Sequence, residues 1–127
     1  MGSPITSCIS SNNNLNYLKL AYTSIRKNAY YKDQPIIVFA ENCTDGTNEW
    51  LQVISKSDLN LTYYTQSNKV PLGIGGGMDF CVSKTKTQYV NIIHSDMWIA
   101  PNQDLELQKI IEQSKQERTI ASSFRIQ

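Results

Sequence analysis

The chain has 127 residues, 40% of them hydrophobic and 18% charged, which suits one ordinary domain with a core and excludes disorder by composition. Twelve Lys and Arg against eleven Asp and Glu leave a net charge of +1, so there is no basic footprint for nucleic acid or an anionic membrane. No apolar run approaches the roughly 20 residues of a membrane helix, and three cysteines without a C-x-x-C pair, beside one histidine, argue against a closed zinc site.

Residues 1–4 read as a tag or disordered start, and 5–127 as a single domain. Ile5 to Ser10 is a short β-leaning run. Asn12, Asn13 and Asn14 supply turn chemistry and a helix N-cap. Leu15, Leu18, Tyr22 and Ile25 then recur at helical spacing, with Ala21 on the same side. Pro35 opens a second strand, Ile36 to Ala40, apolar throughout as a strand covered on both faces is. Glu41 to Gly46 is a polar turn. Thr47 caps a helix to about Ser57, with Trp50, Leu51 and Ile54 as its stripe. Leu61 to Thr65 is a third strand, and Gly73 to Ser83 a Gly-rich helix. Tyr89 to Ile93 is a fourth strand, ending at His94-Ser95-Asp96. Pro101 and Asn102 start a helix to about Gln116, and Ile120, Ser122, Phe124 and Ile126 alternate as a last strand.

Strands separated by single helices imply parallel units with right-handed crossovers, so the expected fold is α/β: an open, mainly parallel sheet with helices on both faces. In such sheets ligands sit beyond the carboxyl ends of the strands. That rule selects Ser11 and Asn13 after the first strand, Glu41 and Asp45 after the second, and His94 and Asp96 after the fourth.

Each cluster has a bland alternative. Residues i and i+2 of an extended segment point the same way, so His94 and Asp96 could face one ligand. Asp96 is a hard donor suited to Mg²⁺ or Mn²⁺. The alternative is a turn Asp beside a surface His. Glu41 could accept hydrogen bonds from a ribose or base, or 41–47 could simply be a tight turn with a helix cap. The run Gly73-Ile74-Gly75-Gly76-Gly77-Met78 follows the third strand and lacks the third glycine of a dinucleotide fingerprint. Close approach of this helix to a strand or nucleotide explains it better, against flexibility alone. Lys69, Lys84 and Lys86 are phosphate contacts or, more simply, solvated surface. Trp98 borders a sugar pocket or is half-buried after the strand.

The order of these motifs resembles the N-terminal, nucleotide-binding half of a family 2 glycosyltransferase with the Rossmann-like GT-A fold. Tyr17 to Ile25 is similar to the family's Y-L-x-x-A-x-x-S-I helix. Ile36 to Thr47 resembles its second strand and D-[DN]-G-S-T-D-G-T turn. Gly73 to Asp79 resembles the G-x-x-x-A-R-N helix, and Tyr89 to Pro101 the strand carrying D-x-D. The resemblance implies that Ser11, Asn13 and Glu41 hold a nucleoside, that Asp79 stands at the family's Asn, and that Asp96, helped by His94, binds Mg²⁺ or Mn²⁺ against a diphosphate. His94 replaces the first Asp of D-x-D. Ser10-Ser11-Asn12-Asn13 replaces the usual Pro-Thr-Tyr-Asn, and an ungapped match puts Ala40, not Glu41, at the family's first acidic site.

The implied activity is metal-dependent transfer of a sugar from a nucleotide-diphosphate donor, UDP-type favoured, to a hydroxyl of a sugar, glycan, lipid or protein, with inversion as the family's habit. The other reading is a non-catalytic nucleotide-sugar-binding or structural module of the same fold. A nucleotidyltransferase would want a basic, Gly-rich loop after the first strand, and Ser10 to Asn14 contains no Gly, Lys or Arg. No residue matches the family's general base, so that base is expected beyond Gln127 and the chain reads as truncated. Without a basic-then-apolar leader, and with few cysteines, the expected location is cytoplasmic. Phe124 and Ile126 in a terminal strand predict self-association of the isolated chain. Light scattering at high concentration checks this, and a monodisperse monomer would count against it.

Overall fold

The apolar runs that propose strands form the interior of a parallel sheet in the computed structural model, which describes residues 2–114. Strand β1 is Ile5–Ser11, β2 Ile36–Glu41, β3 Leu61–Gln66 and β4 Tyr89–His94. They alternate with helices α1 (Leu15–Asn28), α2 (Thr47–Ser57), α3 (Gly73–Ser83) and α4 (Gln103–Ser114). All pairings are parallel, in the order β3-β2-β1-β4. The expected α/β architecture is therefore present. Among the described residues no helix is long and apolar enough to cross a membrane.

Each strand runs one residue past the end that hydropathy marks. Ladder bonds are made by the backbone, so a polar residue can continue a strand that an apolar run began. The pairs Ser11↔Ala40, Glu41↔Gln66 and Ser10↔His94 do this at the carboxyl edge. The expected start of the last helix at Pro101 and Asn102 moves to Gln103, because Asn102 takes a left-handed φ of 60°. The end of that helix and the strand expected over 120–126 lie outside the described residues.

The sheet buries both faces. Ile9, Ile36, Val38, Ala40, Leu61 and Ile93 pack under Leu18, Tyr22 and Ile25 of α1 and Leu51 of α2. On the opposite face Cys8, Ile37 and Phe39 meet Cys81 and Phe80 of α3. This split follows from the period-2 alternation of strands and the stripes of the helices. Outer strand β4 is less covered on the α3 side, where Val90 and Ile92 are exposed.

Helix α1 is braced at several points. Arg26 donates to Asp58 at 2.6 Å and to the Gln34 carbonyl at 2.6 Å, and the Tyr22 hydroxyl donates to Asp58 at 2.5 Å. Burial pushes the Asp58 carboxyl up, but the hydrogen bonds from Tyr22, Arg26 and the Asn60 N–H outweigh it, and the net shift is down. Buried Asp104 of α4 accepts the N–H groups of Tyr30 and Tyr31 at 2.9 and 3.0 Å, which fastens α4 to the end of α1.

The glycines of α3 have separate reasons. Gly73 has φ +76°, which favours glycine. A Cβ on Gly77 would collide with Ser10 Oγ and lie 2.9 Å from Phe39 Cδ2, so glycine here lets α3 rest directly on β1 and β2. At Gly75 a Cβ would meet nothing within 4 Å. Gly77→Ala is expected to lower stability by about 1–3 kcal/mol through overpacking, whereas Gly75→Ala should be neutral or stabilising because it removes glycine from a helix. Urea denaturation of the two variants checks the contrast.

Candidate functional site

The strand order reverses between β1 and β4: β2 and β3 follow on one side of β1, and β4 lies on the other. In open α/β sheets the crevice at such a switch point is where ligands bind, beyond the carboxyl ends. Here it is bordered by Ser10 and Ser11 on β1 and by His94 on β4, with Ser10 and His94 directly paired. Composition and spacing nominate the carboxyl edge. The pairing order narrows it to this crevice.

Ser11 ends β1 and is buried, yet its Oγ has no hydrogen-bond partner. The other such atom among the described residues is Asn48 Oδ1, near the start of α2. Asn13 follows in a left-handed conformation, φ 53°. Its side-chain oxygen accepts the Thr44 N–H at 2.6 Å, so it joins the β1–α1 loop to the β2–α2 loop. Asn12 adds a bond from Nδ2 to the Glu41 carbonyl at 2.6 Å.

Glu41 ends β2 and is buried, 4% exposed. Oε2 accepts from the Leu72 N–H at 2.8 Å and from Asn68 Nδ2 at 2.7 Å, and Oε1 from the Gly73 N–H at 3.3 Å. The Leu72 N–H is the main cause holding its carboxyl below the usual range, against burial, with Asn68 and Gly73 assisting. Beside it Asn42, φ 54°, exchanges two bonds with Asn68 at 2.7 and 3.1 Å. That reciprocal pair has no sequence signal beyond the turn propensity of asparagine, because its members are 26 residues apart.

Asp45 is the helix cap that the asparagines were expected to supply. Asn14 makes no side-chain cap bond. Asp45 Oδ2 instead accepts the Leu15 N–H of α1 at 2.9 Å. Its Oδ1 accepts the Thr47 hydroxyl at 2.5 Å and the Thr47 N–H at 3.3 Å. Thr47 is thus the first residue of α2, not its cap, and Gly46 precedes it at φ 93°. The Thr47 hydroxyl is the main cause holding the Asp45 carboxyl below its ordinary value, against burial, with the N–H groups of Leu15 and Thr47 adding to it.

His94 ends β4 and is exposed. The chain turns at once, the Met97 N–H donating to the His94 carbonyl at 3.1 Å. The alternation that would aim His94 and Asp96 the same way therefore stops at His94, and Asp96 lies in the turn. Trp98, 44% exposed, follows it. Asp79 is not gathered with the others by helix phase. Gly77 and Cys81 of α3 face the sheet, and Asp79 stands about 200° around the helix from Gly77, on the exposed side. Lys84 lies over the rings of Tyr64 and Phe80, 5.8 and 5.4 Å from their centroids, and Lys69 and Lys86 are exposed.

Because the folded-state pKa of Asp45 is depressed, its capping contribution is complete above the ordinary carboxylate range and is lost as pH falls through the lower folded value. Asp45→Ala is expected to cost about 1–2 kcal/mol at pH 7 and progressively less in acid. Denaturant titrations at neutral and acid pH check both parts.

The fold is shared with solved structures of larger proteins. S. aureus TarS 1-349 in complex with UDP superposes with a TM-score of 0.73 at 17% identity, covering 89% of this chain and 32% of that one. S. aureus TarS itself gives 0.69 at 18%, covering 89% and 20%. The mannosyltransferase PcManGT from Pyrobaculum calidifontis, in complex with GDP-Man and Mn²⁺, gives 0.63 at 15%, covering 77% and 30%. The chain spans a fifth to a third of the length of these proteins. No curated protein matches it in sequence. The model of glycosyl transferase family 2 matches residues 6–127, nearly the whole length, and the chain belongs to that family.

Proposed function

We propose that the chain binds a nucleotide-diphosphate sugar of the UDP type in the crevice between β1 and β4, and that it serves metal-dependent transfer of the sugar to an acceptor hydroxyl, with inversion. The observation that carries this reading is the Ser11 hydroxyl, buried without a partner at the switch point. A buried hydroxyl left unpaired costs about 1–3 kcal/mol, and a ligand group reaching it would recover that cost. The family match and neighbours solved with UDP, UDP-GlcNAc and GDP-Man support a nucleotide sugar as that ligand.

In this reading Ser11 binds the nucleoside. Asn13 and Glu41 shape the loops around it through the bonds described above, and Asp79 stands at the margin. The acceptor class and the general base are not assigned to residues of this chain.

The donor chemistry at the end of β4 suits a divalent ion, Asp96 supplying a hard carboxylate and His94 an imidazole, although the turn after His94 does not aim the two the same way. Among the described residues no three His, Cys, Asp or Glu side chains cluster. Asp96 and His94 would therefore hold Mg²⁺ or Mn²⁺ together with phosphate oxygens of the donor. When bound, such an ion supplies positive charge against the diphosphate as it becomes the leaving group. Cys8, Cys43 and Cys81 are free thiols, which agrees with the cytoplasmic location proposed for the chain. Exposed Val90 and Ile92 on β4 support its self-association.

Calorimetric titration with UDP and GDP, each with and without Mn²⁺, tests the reading. Wild type is expected to bind UDP in a Mn²⁺-dependent manner. Asp96→Ala should weaken that binding about tenfold or more, and Ser11→Ala should weaken it while leaving the Mn²⁺ dependence intact. Absence of binding to both nucleotides with and without Mn²⁺ would refute the proposal.

A further inference from the structure

Helix N-termini at the carboxyl edge attract anions, because their first N–H groups lack partners and the helix dipole is positive there. A diphosphate arriving at this edge would meet the starts of α1, α2 and α3. In this chain protein carboxylates already occupy all three. Asp45 takes the Leu15 N–H at 2.9 Å and the Thr47 N–H at 3.3 Å. Glu41 takes the Leu72 N–H at 2.8 Å and the Gly73 N–H at 3.3 Å.

Glu41 does more than cap. Its bond to Asn68, with the Asn42–Asn68 exchange, ties the loop between β3 and α3 to the end of β2. That loop leads into α3, which rests on Ser10 through Gly77, and Ser10 pairs with His94 across the crevice. Moving the start of α3 would therefore move what lies over Ser10, the ladder neighbour of His94.

We propose that Glu41 is a positioning residue for the donor site: its carboxylate is the resident anion at the start of α3, holding residues 68–73 against the end of β2 and directing the diphosphate to the end of β4. The family resemblance implies that Glu41 holds the nucleoside. The geometry assigns its oxygens to Leu72, Gly73 and Asn68. This deepens the nucleotide-sugar reading and rests on it for the identity of the ligand.

The test combines amide hydrogen exchange with UDP titration in Mn²⁺, on the full chain. In wild type the Leu72 and Gly73 amides should be protected, and saturating UDP should preserve or raise that protection. Glu41→Gln should speed exchange at those two amides about tenfold or more, the loss expected when hydrogen bonds to a charged acceptor are removed. It should also weaken UDP. The Leu15 and Thr47 amides, held by Asp45, should stay protected, which separates a local release from a general loss of stability.

Two results would overturn the proposal. One is unchanged exchange at Leu72 and Gly73 in Glu41→Gln. The other is release of those amides by UDP in wild type, which would mean that Glu41 leaves the helix for the nucleoside. If wild type binds neither UDP nor GDP, the donor-site reading falls and takes the positioning role with it, while the exchange comparison still decides the cap.

Discussion

The carboxyl edge of this sheet takes its shape from backbone N–H groups donating to two side-chain carboxylates. Asp45 gathers the starts of α1 and α2, and Glu41 gathers the start of α3. Asn12 and Asn13 fasten the first loop to the second, and Asn42 with Asn68 fastens the second to the third. Three loops that would otherwise be independent surface segments become one cross-braced rim. Charge-assisted bonds of this kind are shorter and stronger than neutral ones, and they fix the loops before a ligand arrives. Preorganisation lowers the ordering cost of binding.

The end of β4 is held differently. The Ile99 N–H donates to Ser24 at 2.9 Å, Asn28 donates to the Ile99 carbonyl at 2.7 Å, and the Asn102 N–H donates to the Asn28 carbonyl at 2.8 Å. All of these anchors are on α1. The start of α1 is thus tied to the β1–β2 rim by Asp45, while its second half carries the segment after His94 and Asp96. The helix works as a strut between the two banks of the crevice. The two banks are thus joined through α1 and through the β1–β4 ladder.

Much of this was legible in the sequence because short apolar runs and helical stripes are local signals. Ile36 to Ala40 could hardly be anything but a buried strand, and Leu18, Ala21, Tyr22 and Ile25 face the core as their spacing requires. The caps were not legible. Asn14 has the chemistry of a cap, but a carboxylate 30 residues from Leu15 fills that place. Only the folded loop brings Asp45 there. Glu41 stands out by position and charge at a strand's carboxyl end, but the partners that occupy its oxygens were not legible. Asp79 matched by motif order, and the rotation of α3 set by the Gly77 contact puts it on the exposed side. Side-chain direction on a helix depends on which residue touches the sheet, and that depends on tertiary packing.

The exchange of a carboxylate for an imidazole at His94 is intelligible against the charge of this rim. Glu41, Asp45 and Asp96 already place three carboxylates along the edge, and the first two neutralise the helix starts that would otherwise welcome phosphate. Their pKa values are lowered, so Glu41 and Asp45 stay ionised at neutral pH. A further carboxylate at position 94 would add repulsion toward a diphosphate in the only bank of the crevice not bordered by a capped helix start. In the proposed donor site an imidazole would offer a metal-ligating atom at the end of β4 without adding a negative charge. Holding fewer negative charges also weakens the hold on a divalent ion, so in this chain the donor's own phosphate oxygens would have to contribute more of that hold. Metal and nucleotide binding would then be coupled: each would enter the crevice more tightly in the presence of the other.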